Sequence, residues 1–170
     1  GIEVIDVCMD SNIVETEKVL PQVIYHLTSD FKGAMCLDSF SVEALVKGLE
    51  SYPGRPILNS ISLEDYEEGV SKLDAVLSKT AEHHPLYIAL VNGPKGPAIT
   101  RQEKYDLAKE IVERSQNDYE VGPDELIIDV NAYPIGSESE EGVNFALESL
   151  ESIPMIKAIH PDLKTSIGVG

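Results

Sequence analysis

Residues 34–61, AMCLDSFSVEALVKGLESYPGRPILNSI, decide the fold. They open on an apolar run at 34–37, pass through Asp38 and Ser39 into helical spacing over 42–49, and return to an apolar run at 56–61. Two short buried strands joined through a helix make a parallel β-α-β unit, because a helical crossover brings the second strand back in the direction of the first. The Pro53-Gly54 pair punctuates the return.

The same alternation runs outward in both directions. Strand patterns fall at 2–7, 86–91, 125–130 and 165–169, and helical spacing at 13–27, 63–81, 101–115 and 140–150, with Pro21 a kink or break in the first helix. Six strands and five helices in strict order mean parallel strands, which leaves a closed barrel or an open doubly wound sheet. No G-x-G-x-x-G or G-x-x-x-x-G-K-[ST] follows a strand, and Gly93-Pro94-Lys95-Gly96-Pro97 holds two prolines that remove backbone donors. A TIM-type (β/α)8 barrel is the better account, and an incomplete one, since a full barrel takes about 250 residues and eight units. Residues 1–170 then read as a single barrel domain truncated at both ends: the chain opens inside a strand without an initiator methionine and stops at Gly170, where the last strand passes into its loop.

Composition narrows the partners. Thirteen Lys and Arg against 30 Asp and Glu give a formal charge of −17, which works against binding nucleic acid or an anionic membrane. No apolar stretch approaches the ~20 residues of a membrane span, and no signal peptide opens the chain. Cys8 and Cys36 lie in apolar segments with no disulfide or metal spacing, so both are expected as buried thiols in a reducing cytoplasm. The four histidines, His26, His83, His84 and His160, lack metal-ligand spacing, and no metal is expected.

Three apolar runs end in an acid or an amide: Cys36-Leu37-Asp38-Ser39, Leu58-Asn59-Ser60 and Ile127-Ile128-Asp129-Val130-Asn131. In α/β folds the carboxyl ends of the strands face the ligand, so Asp38, Asn59 and Asp129 converge on one small molecule. Ionised carboxylates only accept hydrogen bonds while an amide does both, a set suited to a flat ligand rich in N–H donors. Any one of the three also suits a helix cap or turn; the trio favours a site. Asn131, two residues past Asp129, extends the polar floor if the strand stays extended, or else ties down the loop that follows. Ser39 and Ser60 read as caps of the next helices, and Asn92, a further candidate for the site, reads more readily as a turn residue.

The series Ile5-Asp6-Val7, Cys36-Leu37-Asp38-Ser39, Ile57-Leu58-Asn59-Ser60, Gly96-Pro97, Ile128-Asp129 and Ser166-Ile167-Gly168 resembles the pterin-binding methyltransferases. These enzymes use methyltetrahydrofolate and a corrinoid, and include the folate module of cobalamin-dependent methionine synthase. The resemblance spans nearly the whole chain and implies a dihydropteroate synthase-like barrel in which Asp38, Asn59 and Asp129 hydrogen-bond the pterin. It also implies a role for Asp6, although Cys8 stands where the family usually has Asn. Further implications are tetrahydrofolate or methyltetrahydrofolate as substrate, a corrinoid (cobalamin) carried by a partner protein or domain, and an activating Asn beyond Gly170, which leaves Asp129 the catalytic candidate within the chain. A second copy of the chain is the other candidate partner. The alternatives are a dihydropteroate synthase-like enzyme, against which the run Val130-Asn131-Ala132-Tyr133-Pro134 replaces a Gly-rich loop, and a noncatalytic folate- or corrinoid-binding fragment.

Overall fold

A computed structural model describes residues 2–132 and 144–168 of the chain. Six strands form the central sheet: β1 (Val4–Cys8), β2 (Ala34–Asp38), β3 (Ile57–Ile61), β4 (Leu86–Leu90), β5 (Leu126–Asp129) and β6 (Lys164–Ser166). Every neighbouring pair is parallel, and the order in space is the order in sequence. Helices α1 (Thr16–Asp30), α2 (Val42–Ser51), α3 (Lys72–Thr80), α4 (Arg101–Tyr119) and α5 (Phe145–Lys157) follow β1 to β5 in turn. An open doubly wound sheet reverses its strand order at a switch point. Here the order never reverses and consecutive helices pack on one another in series, so the helices share one face, as in a partial TIM-type barrel.

Strand periodicity then assigns two faces. Val7, Met35, Leu37, Leu58, Tyr87, Ala89, Leu126 and Ile128 point toward the helices and are buried. They meet Leu20 and Ile24 of α1, Leu45 of α2, Leu73 and Leu77 of α3 and Ile111 of α4, all essentially solvent-free. Each such side chain contributes about 1.5–3 kcal/mol by leaving water. Tyr87 carries its hydroxyl into this core and pairs it with Thr80 Oγ1 at 2.9 Å. On the other face, Asp6, Asp38, Asn59, Ile88, Leu90, Ile127 and Asp129 are half-buried or exposed, leaving polar groups at the strand ends open to a ligand.

Several sequence expectations are corrected. The helix expected over 63–81 begins only at Lys72, because 65–71 form a small antiparallel hairpin. Gly69 takes a φ of +76° in its turn, and a capping box between Ser71 and Asp74 starts the helix. Pro21 does not end α1: the helix runs through it, with the fully buried Leu20 and Ile24 anchoring both sides. Residues 92–97 form a second short hairpin. The last helix is shifted to Phe145–Lys157, and residues 140–143 of its expected span lie outside the described residues. The last strand is Lys164–Ser166, with 169 of its expected span likewise outside them. Cys36 is buried as expected; Cys8, on the inner face of the edge strand β1, is exposed.

Candidate functional site

Short strands that end on polar residues put those residues on one rim. Asp38 pairs in register with Asn59 across β2 and β3, and Asp129 pairs with both Leu90 of β4 and Ser166 of β6. Asn59 and Asp129 line one open cavity of about 410 Å³ together with Ile88, Leu90, Asn92, Pro97, Asn131, Ala132 and Gly168. Aliphatic walls with a few convergent polar groups are what a small-molecule pocket requires. Asp38 is the register partner of Asn59 on the neighbouring strand but, like Asp6, does not line this cavity.

Asp129 is held from two sides. Its Oδ1 accepts from the Asn131 backbone N–H at 2.8 Å and its Oδ2 from the Ser166 hydroxyl at 2.8 Å. Behind it lies the fully buried Lys104, whose ammonium donates to the carbonyls of Ala98 (2.9 Å) and Val130 (2.8 Å). Burial lowers the Lys104 pKa to about 8, against the opposing pull of Asp129, Glu103 and Glu148.

Asp38 sits in a more crowded field. Burial, then Asp6 and Asp10, push its carboxyl above the usual range, while Lys72 and a hydrogen bond from Cys8 pull it back. The Lys72 ammonium is lowered by burial but supported by the charges of Glu64, Asp38 and Asp10. Asp10, which no pattern in the sequence singled out, fixes the loop after β2 by accepting from Ser39 Oγ at 2.7 Å and from the Phe40 N–H at 2.6 Å.

Asp6 lies on the neighbouring strand, within the field of Asp38. It occupies the inner face of β1 in register with Cys36, and its hydrogen bond with that thiol, after burial, pushes the Cys36 pKa up. It does not line the cavity shared by Asn59 and Asp129. Ser39 and Ser60 do not cap helices: Ser41 caps α2, Ser71 caps α3, and Ser60 is a buried strand residue. Asn131 leaves the extended conformation, with φ of 53°, and turns back onto Asp129. Asn92, for which the sequence favours a turn role over a place in the site, is a cavity wall 9% exposed, bonded to Glu64 and Asn131. Among the described residues no group of His, Cys, Asp and Glu is arranged to hold a metal ion, and no helix is long and apolar enough to cross a membrane.

A family model described as pterin binding enzyme matches residues 1–169. The proteins named methionine synthase from Mycobacterium tuberculosis (strain ATCC 25618 / H37Rv) and Mycobacterium leprae (strain TN) are each 27% identical, over 169 and 172 residues, 99% of this chain. The chain spans only 14% of the length of those relatives. A solved structure, 7,8-dihydropteroate synthase from Vibrio fischeri ES114, superimposes with a TM-score of 0.64 at 16% identity over 99% of this chain and 62% of that one, a likeness of fold.

Proposed function

The chain belongs to the family of pterin-binding enzymes, and from that premise we propose that it takes part in moving a methyl group between methyltetrahydrofolate and the cobalt of a corrinoid held by a partner protein or domain. The observation that carries this reading is the convergence of Asp38, Asn59 and Asp129 on one strand-end rim, two of them in a single cavity. The relatives named methionine synthase support methyl transfer over other pterin chemistry. On this reading residues 1–170 act as one pterin-binding barrel unit in the cytoplasm.

Asp38 and Asp129 accept from the amino group and ring N–H donors of the pterin, and Asn59 supplies a two-way amide that donates to or accepts from the ring edge. Ile88 and Leu90 offer an apolar wall against the ring face. A neutral tertiary amine is a very poor leaving group, so the pterin nitrogen must gain positive character before or during transfer. Asp129, with Lys104 behind it, holds the ring in one orientation and favours a protonated pterin. The corrinoid, when bound, supplies the strongly nucleophilic metal that exchanges the methyl group.

The test is protein-dependent methyl transfer followed by absorbance, using the natural polypeptide with methyltetrahydrofolate and cobalt(I) cobalamin, then methylcobalamin and tetrahydrofolate for the reverse direction. Acceleration in either direction is expected. No protein-dependent change in both directions overturns the proposal.

A further inference from the structure

The cavity holds a polarity relay that the pterin trio does not include. The Asn131 backbone is pinned at both ends: its N–H donates to Asp129 Oδ1 at 2.8 Å, and its carbonyl accepts from Ser149 Oγ at 2.8 Å. Its side chain is equally constrained. Asn131 Nδ2 donates to Asn92 Oδ1 at 2.7 Å, and Asn92 Nδ2 donates to Glu64 Oε2 at 3.1 Å. The same Glu64 oxygen accepts from Ser62 Oγ at 3.0 Å.

The two ends of a side-chain amide have nearly the same shape and opposite polarity, so the neighbours decide which way it points. Glu64, as a carboxylate, only accepts, and therefore draws the amino end of Asn92 toward itself. The carbonyl end of Asn92 must then face Asn131, which answers with its own amino group. Asn131 lines the cavity, and its Oδ1 is the end of the amide to which no described residue donates. Asn92 is only 9% exposed, so water is a poor substitute for either of its bonds.

We propose that Glu64 is a positioning residue that, through Asn92, locks Asn131 as a hydrogen-bond acceptor in the cavity and so selects a reduced pterin over an oxidised one. This rests on the pterin reading of the site. A tetrahydropterin carries ring N–H donors where the fully oxidised ring has bare nitrogen lone pairs, and a lone pair facing Asn131 Oδ1 leaves two acceptors opposed. A site built to accept from a donor rejects an analogue lacking it more strongly than an apolar pocket would. Glu64 touches no ligand atom on this view; it acts through the amide chain.

The relay is tested by exchanging its polarity. Glu64→Gln removes the acceptor-only group and frees Asn92 to point either way. The double variant Glu64→Gln with Asn92→Asp rebuilds the chain, because the introduced glutamine then donates to the introduced carboxylate and Asn131 still donates to it from the other side. Calorimetry with tetrahydrofolate and with folate is expected to show the discrimination between them falling at least fivefold in E64Q and returning to within twofold of wild type in the double variant. A purely structural lesion weakens both ligands alike and is not rescued, and either result overturns the relay. Side-chain amide exchange of Asn92 and Asn131, measured by NMR without ligand, separates the two readings. If wild type binds neither pterin, the pterin site fails, and exchange rates unchanged by E64Q then overturn the relay as well.

Discussion

Replacing Asp129 by Asn tests the site with the least disturbance to its frame. The substitution is isosteric, and both existing contacts survive it: the amide oxygen still accepts from the Asn131 N–H, and the new amino group donates to Ser166 Oγ once that hydroxyl rotates. The ionised acceptor facing the ligand is lost. A hydrogen bond to a charged group contributes about 1.5–3 kcal/mol net, so a loss near 2 kcal/mol weakens tetrahydrofolate binding about 30-fold. Asp129→Ala removes the anchors of Asn131 and Ser166 in addition, at about 1 kcal/mol more, which puts it roughly fivefold below the Asn variant. Calorimetric titration of the natural polypeptide and both variants reads these ratios, with thermal unfolding alongside. A variant Asp129→Asn that melts like wild type and binds tetrahydrofolate within twofold of it refutes the placement of Asp129 against the ligand.

The remaining predictions address the other half of the rim and the frame. Because burial with Asp6 and Asp10 raises the Asp38 pKa, protonation on acidification removes its acceptor, and tetrahydrofolate affinity is expected to begin falling at a higher pH than for an ordinary carboxylate. Lys72→Met deletes the compensating charge and shifts that fall to still higher pH; a pH profile of Kd that is the same in both proteins contradicts this. Gly33→Ala places a Cβ 2.5 Å from the Glu3 carbonyl oxygen, which already accepts from the Ala34 N–H, so the start of β1 must move off β2. A destabilisation of about 1–3 kcal/mol by denaturant unfolding is expected, and an unchanged midpoint counts against the strand pairing described.

Which parts of this arrangement were legible in the sequence follows from range. The strand between Ala34 and Asp38, the helix from Val42 and the strand to Ile61 announce themselves through period and punctuation within a few residues, and so does their parallel sense. The hairpin at 65–71 was hidden because Glu64, Asp65, Glu67 and Glu68 read equally well as a solvated first turn; the capping box at Ser71 and Asp74 was the local signal that distinguished them. Ser39 illustrates the same limit: a serine three residues before a helix resembles a cap, yet the cap is Ser41, and Ser39 donates to Asp10, 29 residues away.

The site itself divides along a chemical line. A carboxylate at a strand end declares its role wherever it is found, since it accepts and cannot donate, and that is why Asp38 and Asp129 were readable as acceptors from spacing alone. An amide has no fixed polarity of its own. No described residue hydrogen-bonds the Asn59 side chain, so its orientation is left to the ligand, and it suits whichever edge of the ring arrives. Asn131 is the opposite case: its orientation is set by Asn92, 39 residues earlier, which is set in turn by Glu64, 28 residues earlier again. One amide adapts to the substrate while the other imposes a requirement on it, and the difference lies entirely in long-range contacts. On the reading proposed above, a pocket made of both accommodates the pterin edge at Asn59 and tests its reduction state at Asn131, and its selectivity would then rest with Glu64, a residue outside the cavity lining.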